Sequence, residues 1–168
     1  LFVYSPGYVL DVRRPSPYVG SDPTVPLGVY GRGKLAGEEA SRAAGCKSVI
    51  FRTSWVFGAR SGDFAKTILS LAREKRTLNV VSDQVGSPTP AALIATVTGI
   101  VLAMLRQGHA MNRETQSRYH LCCGRPVSWH EFAQAIITLA AATPGVTLLD
   151  LKQASEDLVA HQRDRILW

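Results

Sequence analysis

The chain has little cysteine: three residues in 168, two of them adjacent (Cys122 and Cys123). That number and spacing give neither a disulfide framework nor a metal-ligand set. Neighbours on a strand point to opposite faces, so the adjacent pair reads as structural. Such cysteine usage suits a reducing cytosol, and a cytoplasmic protein is expected. A membrane-length apolar run is also missing. The longest, "AALIATVTGIVLAML" at 91–105, is shorter than the roughly 20 residues a span needs and reads as a buried helix. No charged start leads into an apolar h-region, so no signal peptide is expected. Basic residues are not concentrated. The net charge is +6, but "DVRR", "REKR" and "HQRDR" are scattered and acids interrupt two of them. Nucleic acid would call for a basic face with aromatics between, so no nucleic-acid partner is expected. A mildly basic surface suits a phosphorylated small molecule. Internal repeats and low-complexity tracts are absent. So is the glycine-rich strand-turn-helix that cradles a dinucleotide's pyrophosphate. "VYGRGK" does not supply it, because a proline-rich loop and not a strand precedes it.

What is present is ordinary globular material, 46% hydrophobic and 19% charged, enough for one substantial core. "LFVYS" reads as a strand ending at Pro6-Gly7. It opens the chain without a methionine, as a piece of something longer would. Residues 11–28 carry Pro15, Pro17, Pro23 and Pro26 and form a long loop. A helix follows from Tyr30 to about Ala44, closed by Gly45. "SVIFRTSWVF", 48–57, reads as one buried strand, and "DFAKTILSLAREKR", 63–76, as an amphipathic helix capped by Asp63. "LNVVSD" is a strand and "QVGSPTP" a loop leading into the helix at 91–106. "RYHLCCG" is a strand, and a helix begins at Ser128 with Glu131 in capping-box spacing. The last segment, "LKQASEDLVAHQRDRILW", is helical in composition. Strands alternating with helices predict an α/β fold with a largely parallel sheet.

Within the first helix, Tyr30 and Lys34 are four residues apart and share one face. A phenol with a pKa near 10 is a poor acid or base at neutral pH, and a nearby ammonium favours its phenolate. The pair can then protonate an alkoxide developing as a ketone accepts hydride. Alone the spacing is common.

Its company is more specific. "VYGRGKLAGE", "IFRTSWVFG", "DFAKTILSLA", "DQVGSPTPAALIA" and "YHLCCGRPVSWHEFA" follow in that order. Over about residues 1–151 the chain resembles the extended short-chain dehydrogenase/reductases, and within them the dTDP-4-dehydrorhamnose reductase family. The resemblance implies a partial Rossmann-type parallel sheet with a smaller C-terminal substrate-binding domain. Its segments would be 1–58 from an NAD(P)-binding domain, 59–151 for the nucleotide sugar, and a divergent tail at 152–168. It implies NADPH (or NADH) as cofactor and a dTDP-sugar as substrate, with neither nucleic acid nor membrane as partner and a homodimer left open. Tyr30 would be the general acid, and Lys34 would hold the nicotinamide ribose. Substrate contacts would come from Tyr8, from Trp55 in "RTSW", and from Asp83, Gln84, Gly86, Pro88 and Thr89 of "DQVGSPT". Trp129, His120 and His130 read as packing or surface residues. Two departures stand out. Pro6 stands where the family carries a threonine whose hydroxyl contacts the substrate oxygen, and proline has no hydroxyl. Ala92 stands where some members carry a metal-binding glutamate, so no metal is expected. The reaction implied is reduction of a 4-keto nucleotide sugar in dTDP-L-rhamnose biosynthesis. The alternatives are a non-catalytic nucleotide-sugar-binding or regulatory subunit of the same superfamily, or a gene fragment without a role of its own.

Overall fold

Residues 49–53, Val-Ile-Phe-Arg-Thr, are buried along their whole length, as a strand covered on both faces must be. In the computed structural model they form the central strand of a three-stranded parallel sheet. The structure describes residues 1–13, 16–45, 47–60, 62–75, 77–109, 118–144 and 158–161. In chain order the strands are β1 (Phe2–Pro6), β2 (Val49–Thr53), β3 (Val56–Phe57), β4 (Leu78–Val81), β5 (Val85–Gly86), β6 (Thr89–Pro90), β7 (Arg118–His120), β8 (Val127–Ser128) and β9 (Leu158–His161). The helices are α1 (Val29–Ala43), α2 (Phe64–Glu74), α3 (Ala91–Arg106) and α4 (Trp129–Ala141). A single 3-10 turn, Gly7–Val9, follows β1.

The chain divides into two compact units, each discontinuous in sequence. One joins Leu1–Ser54 to Thr89–Cys122, the other Trp55–Pro88 to Cys123–Trp168. The sequence reading drew contiguous segments instead.

The first unit holds the sheet, in the order β1–β2–β7. Its register aligns Tyr4, Phe51 and Tyr119 in one row and Ser5, Arg52 and His120 in the next. Alternation sends these rows to opposite faces. The rings of the aromatic row lie tilted against one another, 6.3 Å from Phe51 to each neighbour, and the Tyr4 hydroxyl shares a 2.9 Å hydrogen bond with Thr98 of α3. The polar row faces α1, where the Arg52 guanidinium donates to both carboxylate oxygens of Glu38 at 3.1 and 2.7 Å. Both side chains are almost fully buried. α1 ends at Gly45, whose φ of +68° suits glycine.

The second unit packs α2 and α4 over β4, with Ile68, Ala72, Leu78, Val80, Ala133 and Ile137 as its core. Asp63 caps α2 by accepting from the Lys66 backbone N–H, as expected. Ser128 and Glu131 form the expected capping box on α4. That hydrogen bonding holds the Glu131 carboxyl below its usual range, the Ser128 backbone being the main cause. β5 and β8 pair antiparallel, and β9 pairs parallel with β4.

Five expectations need correction. The apolar run expected to be a buried helix forms α3, which buries Ile94 and leaves Leu93, Ile100, Leu102 and Met104 exposed. The stretch 84–90, expected to be a loop, holds β5 and β6, since β8 offers β5 a partner. The strand expected at 48–57 breaks after Thr53, because Trp55 takes the left-handed region at φ +45° and redirects the chain into β3. The strand expected at 118–124 ends at His120, so Cys122 and Cys123 lie beyond it, both free thiols. In the tail, expected to be helical, Leu158–His161 form β9, because β4 offers an edge to pair with. Cys46, Arg76 and the rest of the tail from Gly145 onward lie outside the described residues.

Candidate active site

The first candidate group sits at the start of α1. The helix turns Tyr30 and Lys34 to one face, with the lysine Nζ 5.7 Å from the tyrosine ring centroid. Both side chains reach solvent, Tyr30 being about half exposed. Tyr8, on the turn after β1, stands edge-on to Tyr30 with ring centroids 6.4 Å apart at 70°. That edge-to-face arrangement is one aromatic rings favour.

Gly31 makes this approach possible. A Cβ there would overlap the Tyr8 carbonyl oxygen and stand 3.0 Å from the Pro26 Cβ. Glycine normally weakens a helix interior, so its presence beside Tyr30 has a local physical reason. Thr89 belongs to the same unit but is fully buried, so its contacts lie within the protein.

The polar row beneath α1 escaped the sequence reading. Its signal was there: an arginine inside the apolar run "VIFRT" needs a carboxylate, and Glu38 lies one turn beyond Lys34. Ser5 Oγ, Arg52 Nη1, Thr53 Oγ1, Arg118 Nε and His120 Nε2 are buried atoms without a partner among the described residues. Burial first, and then the Arg52 charge, push the His120 imidazole below its usual range. Arg118 is likewise lowered, chiefly by burial. Pro6 pairs in register with Thr53, so no side-chain hydroxyl lies opposite the unpartnered Thr53 Oγ1.

The second candidate group lies in the other unit. Trp55 is half-buried and stacks on Trp129, with ring centroids 3.5 Å apart and planes 12° from parallel. Phe64 and Phe132 continue the aromatic cluster around Trp129. Gly86 lies against the Trp55 indole. Asp83 and Gln84 are exposed, Pro88 is half-buried, and the Gln84 carbonyl accepts the Trp129 backbone N–H at 3.3 Å. Trp129, read from the sequence as packing, is partly buried, packs against the core and carries Trp55. A shallow groove lined by Arg125, Val127, His130, Glu131 and Gln134 contains none of the candidate residues.

Among the described residues no cluster of side chains has the make-up of a metal site. No described helix is long and apolar enough to cross a membrane.

This architecture matches solved structures. It superimposes on dTDP-4-dehydrorhamnose reductase from Bacillus anthracis, crystallised with NADP, with a TM-score of 0.74 and 29% identity over 95% of this chain and 50% of that one. The match to the ortholog from Clostridium acetobutylicum has a TM-score of 0.71 and 32% identity, over 82% of this chain and 46% of that one. The fold is thus the Rossmann-like α/β fold of these reductases, represented in part.

Residues 1–163 match the model of the RmlD substrate binding domain, and the chain belongs to that family. It is 43% identical over 150 residues to dTDP-4-dehydrorhamnose reductase of Burkholderia thailandensis, covering 89% of this chain and 50% of the relative. The Salmonella typhimurium reductase is 42% identical over 146 residues, covering 86% and 47%. The chain therefore spans about half the length of the curated relatives it matches.

Proposed function

We propose that this chain is the sugar-binding, proton-donating part of an NADPH-dependent reductase that converts a dTDP-linked 4-keto sugar to its alcohol in dTDP-L-rhamnose biosynthesis. The observation that carries the reading is the exposed Tyr30–Lys34 pair on one face of α1, with Tyr8 edge-on beside it. The phenolic O–H of Tyr30 donates its proton to the sugar C4 oxygen. Lys34 stands one helical turn away, its ammonium 5.7 Å from the Tyr30 ring centroid. Tyr8, Trp55, Asp83, Gln84, Gly86 and Pro88 serve the nucleotide sugar, whereas Thr89 is fully buried.

A nicotinamide cofactor, NADPH or NADH, supplies the hydride when bound. The Lys34 ammonium would donate to the hydroxyls of its ribose, and the Tyr30 oxygen would accept from one of them. From the sequence, no glycine-rich strand-turn-helix to fit its pyrophosphate is expected among the 168 residues. A cytoplasmic location goes with this reading, as does work as a monomer or homodimer. Pro6 favours the second reading, a sugar-binding subunit without turnover, since it removes a hydroxyl from the end of β1.

A chimera tests the first reading: residues 1–168 joined to the unmatched half of the Burkholderia thailandensis relative, with NADPH oxidation followed at 340 nm. Tyr30→Phe is expected to abolish turnover and leave sugar binding nearly intact, because the proton is needed only in the transition state. Turnover equal to that of the parent chimera would overturn the role of Tyr30. A chimera that binds the sugar without oxidising NADPH would favour the second reading.

A further inference from the structure

Trp55 pays a conformational cost that a plain core tryptophan does not. Its φ of +45° places a bulky residue in a region that bulky residues rarely adopt. Such a backbone persists only where its surroundings over-determine it. Two neighbours do so here, both in the same unit. Trp129 lies flat on the indole at 3.5 Å. Gly86 leaves no room on the other contact, since a Cβ there would stand 2.7 Å from both Cζ2 and Nε1 of the indole. Trp129 is itself held in place. It is the first residue of α4, behind the Ser128–Glu131 capping box, and its backbone N–H donates to the Gln84 carbonyl. Phe64 packs against its ring at 4.4 Å. Gly86 is fixed by the β5–β8 pairing, opposite Val127.

We propose that Trp129 and Gly86 are positioning residues, which hold the half-buried Trp55 indole in one fixed orientation as a preformed wall for the sugar of a nucleotide sugar. The proposal rests on Trp55 contacting the sugar. Aliphatic C–H faces of a sugar pack well on a flat ring, and a ring already fixed spares the ligand the cost of ordering it. A glycine is required at position 86, because any side chain would push the ring away.

The test uses the 168-residue chain, dTDP-L-rhamnose as probe, and two readouts: far-ultraviolet circular dichroism, where the strong indole transitions couple, and titration by tryptophan fluorescence. Two indoles stacked this closely couple, so Trp55→Phe and Trp129→Phe should each remove the same dichroic couplet. Gly86→Ala should alter the couplet while keeping both tryptophans. Trp129→Leu should weaken sugar binding by roughly threefold to tenfold, the energy of one aromatic pair read as affinity. Trp129→Phe should restore most of that affinity without restoring the couplet. Should Trp129→Leu fail to fold, Gly86→Ala carries the test, with a comparable loss of affinity expected. Binding lost in Trp55→Ala but unchanged in Trp129→Leu and Gly86→Ala would overturn the positioning role and leave the sugar contact standing. Binding unchanged in Trp55→Ala, or absent from the parent chain, would overturn the contact itself and the proposal with it.

Discussion

At the scale of single residues, the buried charges beneath α1 set the pH dependence. The polar row of the sheet holds Arg52 and His120, with Arg118 two positions away on the same face. The row faces Glu38 of α1, and the His120 ring also bonds the Val19 backbone near Asp22. Burial and Arg52 lower the His120 pKa, while that backbone bond, Asp22 and Glu38 oppose the shift without cancelling it. A lowered folded pKa means that the unfolded chain takes up the proton first. Stability is therefore full above the unfolded value of about 6.5 and falls as pH drops below it toward the folded value. His120→Gln should flatten the slope of stability against pH between about 7 and 5 in urea titrations. A slope unchanged by the substitution would mean that His120 titrates alike in both states. The sequence showed Tyr30 and Lys34 because four-residue spacing alone places them together. It did not show the Glu38–Arg52 pair, which depends on how α1 lies on the sheet.

At the scale of elements, α1 offers an internal comparison. It contains Gly31, Gly33 and Gly37, each of which should weaken a helix by roughly 1 kcal/mol relative to alanine. Space around them differs. Gly33 and Gly37 face nothing within 4 Å, whereas a Cβ on Gly31 overlaps the Tyr8 backbone. Gly33→Ala and Gly37→Ala should stabilise the chain by about 0.4–1 kcal/mol, and Gly31→Ala should destabilise it. The sign difference is measured by chemical denaturation. A stabilising Gly31→Ala would show that the Tyr8 turn yields easily and does not fix Tyr30. Most elements were legible because their signals are local: Asp63 and Ser128 are side-chain caps, and Gly45 is a stop. The misses needed distant partners. The break at Trp55 depends on Trp129 and Gly86, and β9 exists only because it pairs with β4. No window of sequence contains both members of either contact.

At the scale of the whole chain, family membership rests on 163 residues and the fold on solved reductases about twice as long. Dinucleotide affinity in such folds comes from a helix N-terminus and the backbone N–H groups after a first strand. No such segment is expected from the sequence of the 168 residues, and one charged hydrogen bond from Lys34 would contribute only about 1.5–3 kcal/mol. NADPH should therefore leave the thermal midpoint of the 168-residue chain in place. A calorimetric dissociation constant tighter than about 10 μM would reveal a site among residues read otherwise. The nucleotide sugar is different, because its proposed contacts lie within the chain. Calorimetric titration of dTDP-L-rhamnose into the 168-residue chain tests the proposed sugar-binding role most directly. Saturable binding is expected, kept in Tyr30→Phe and lost in Trp55→Ala. A parent chain that gives no binding heat across a titration to millimolar ligand, at more than one temperature, would contradict it.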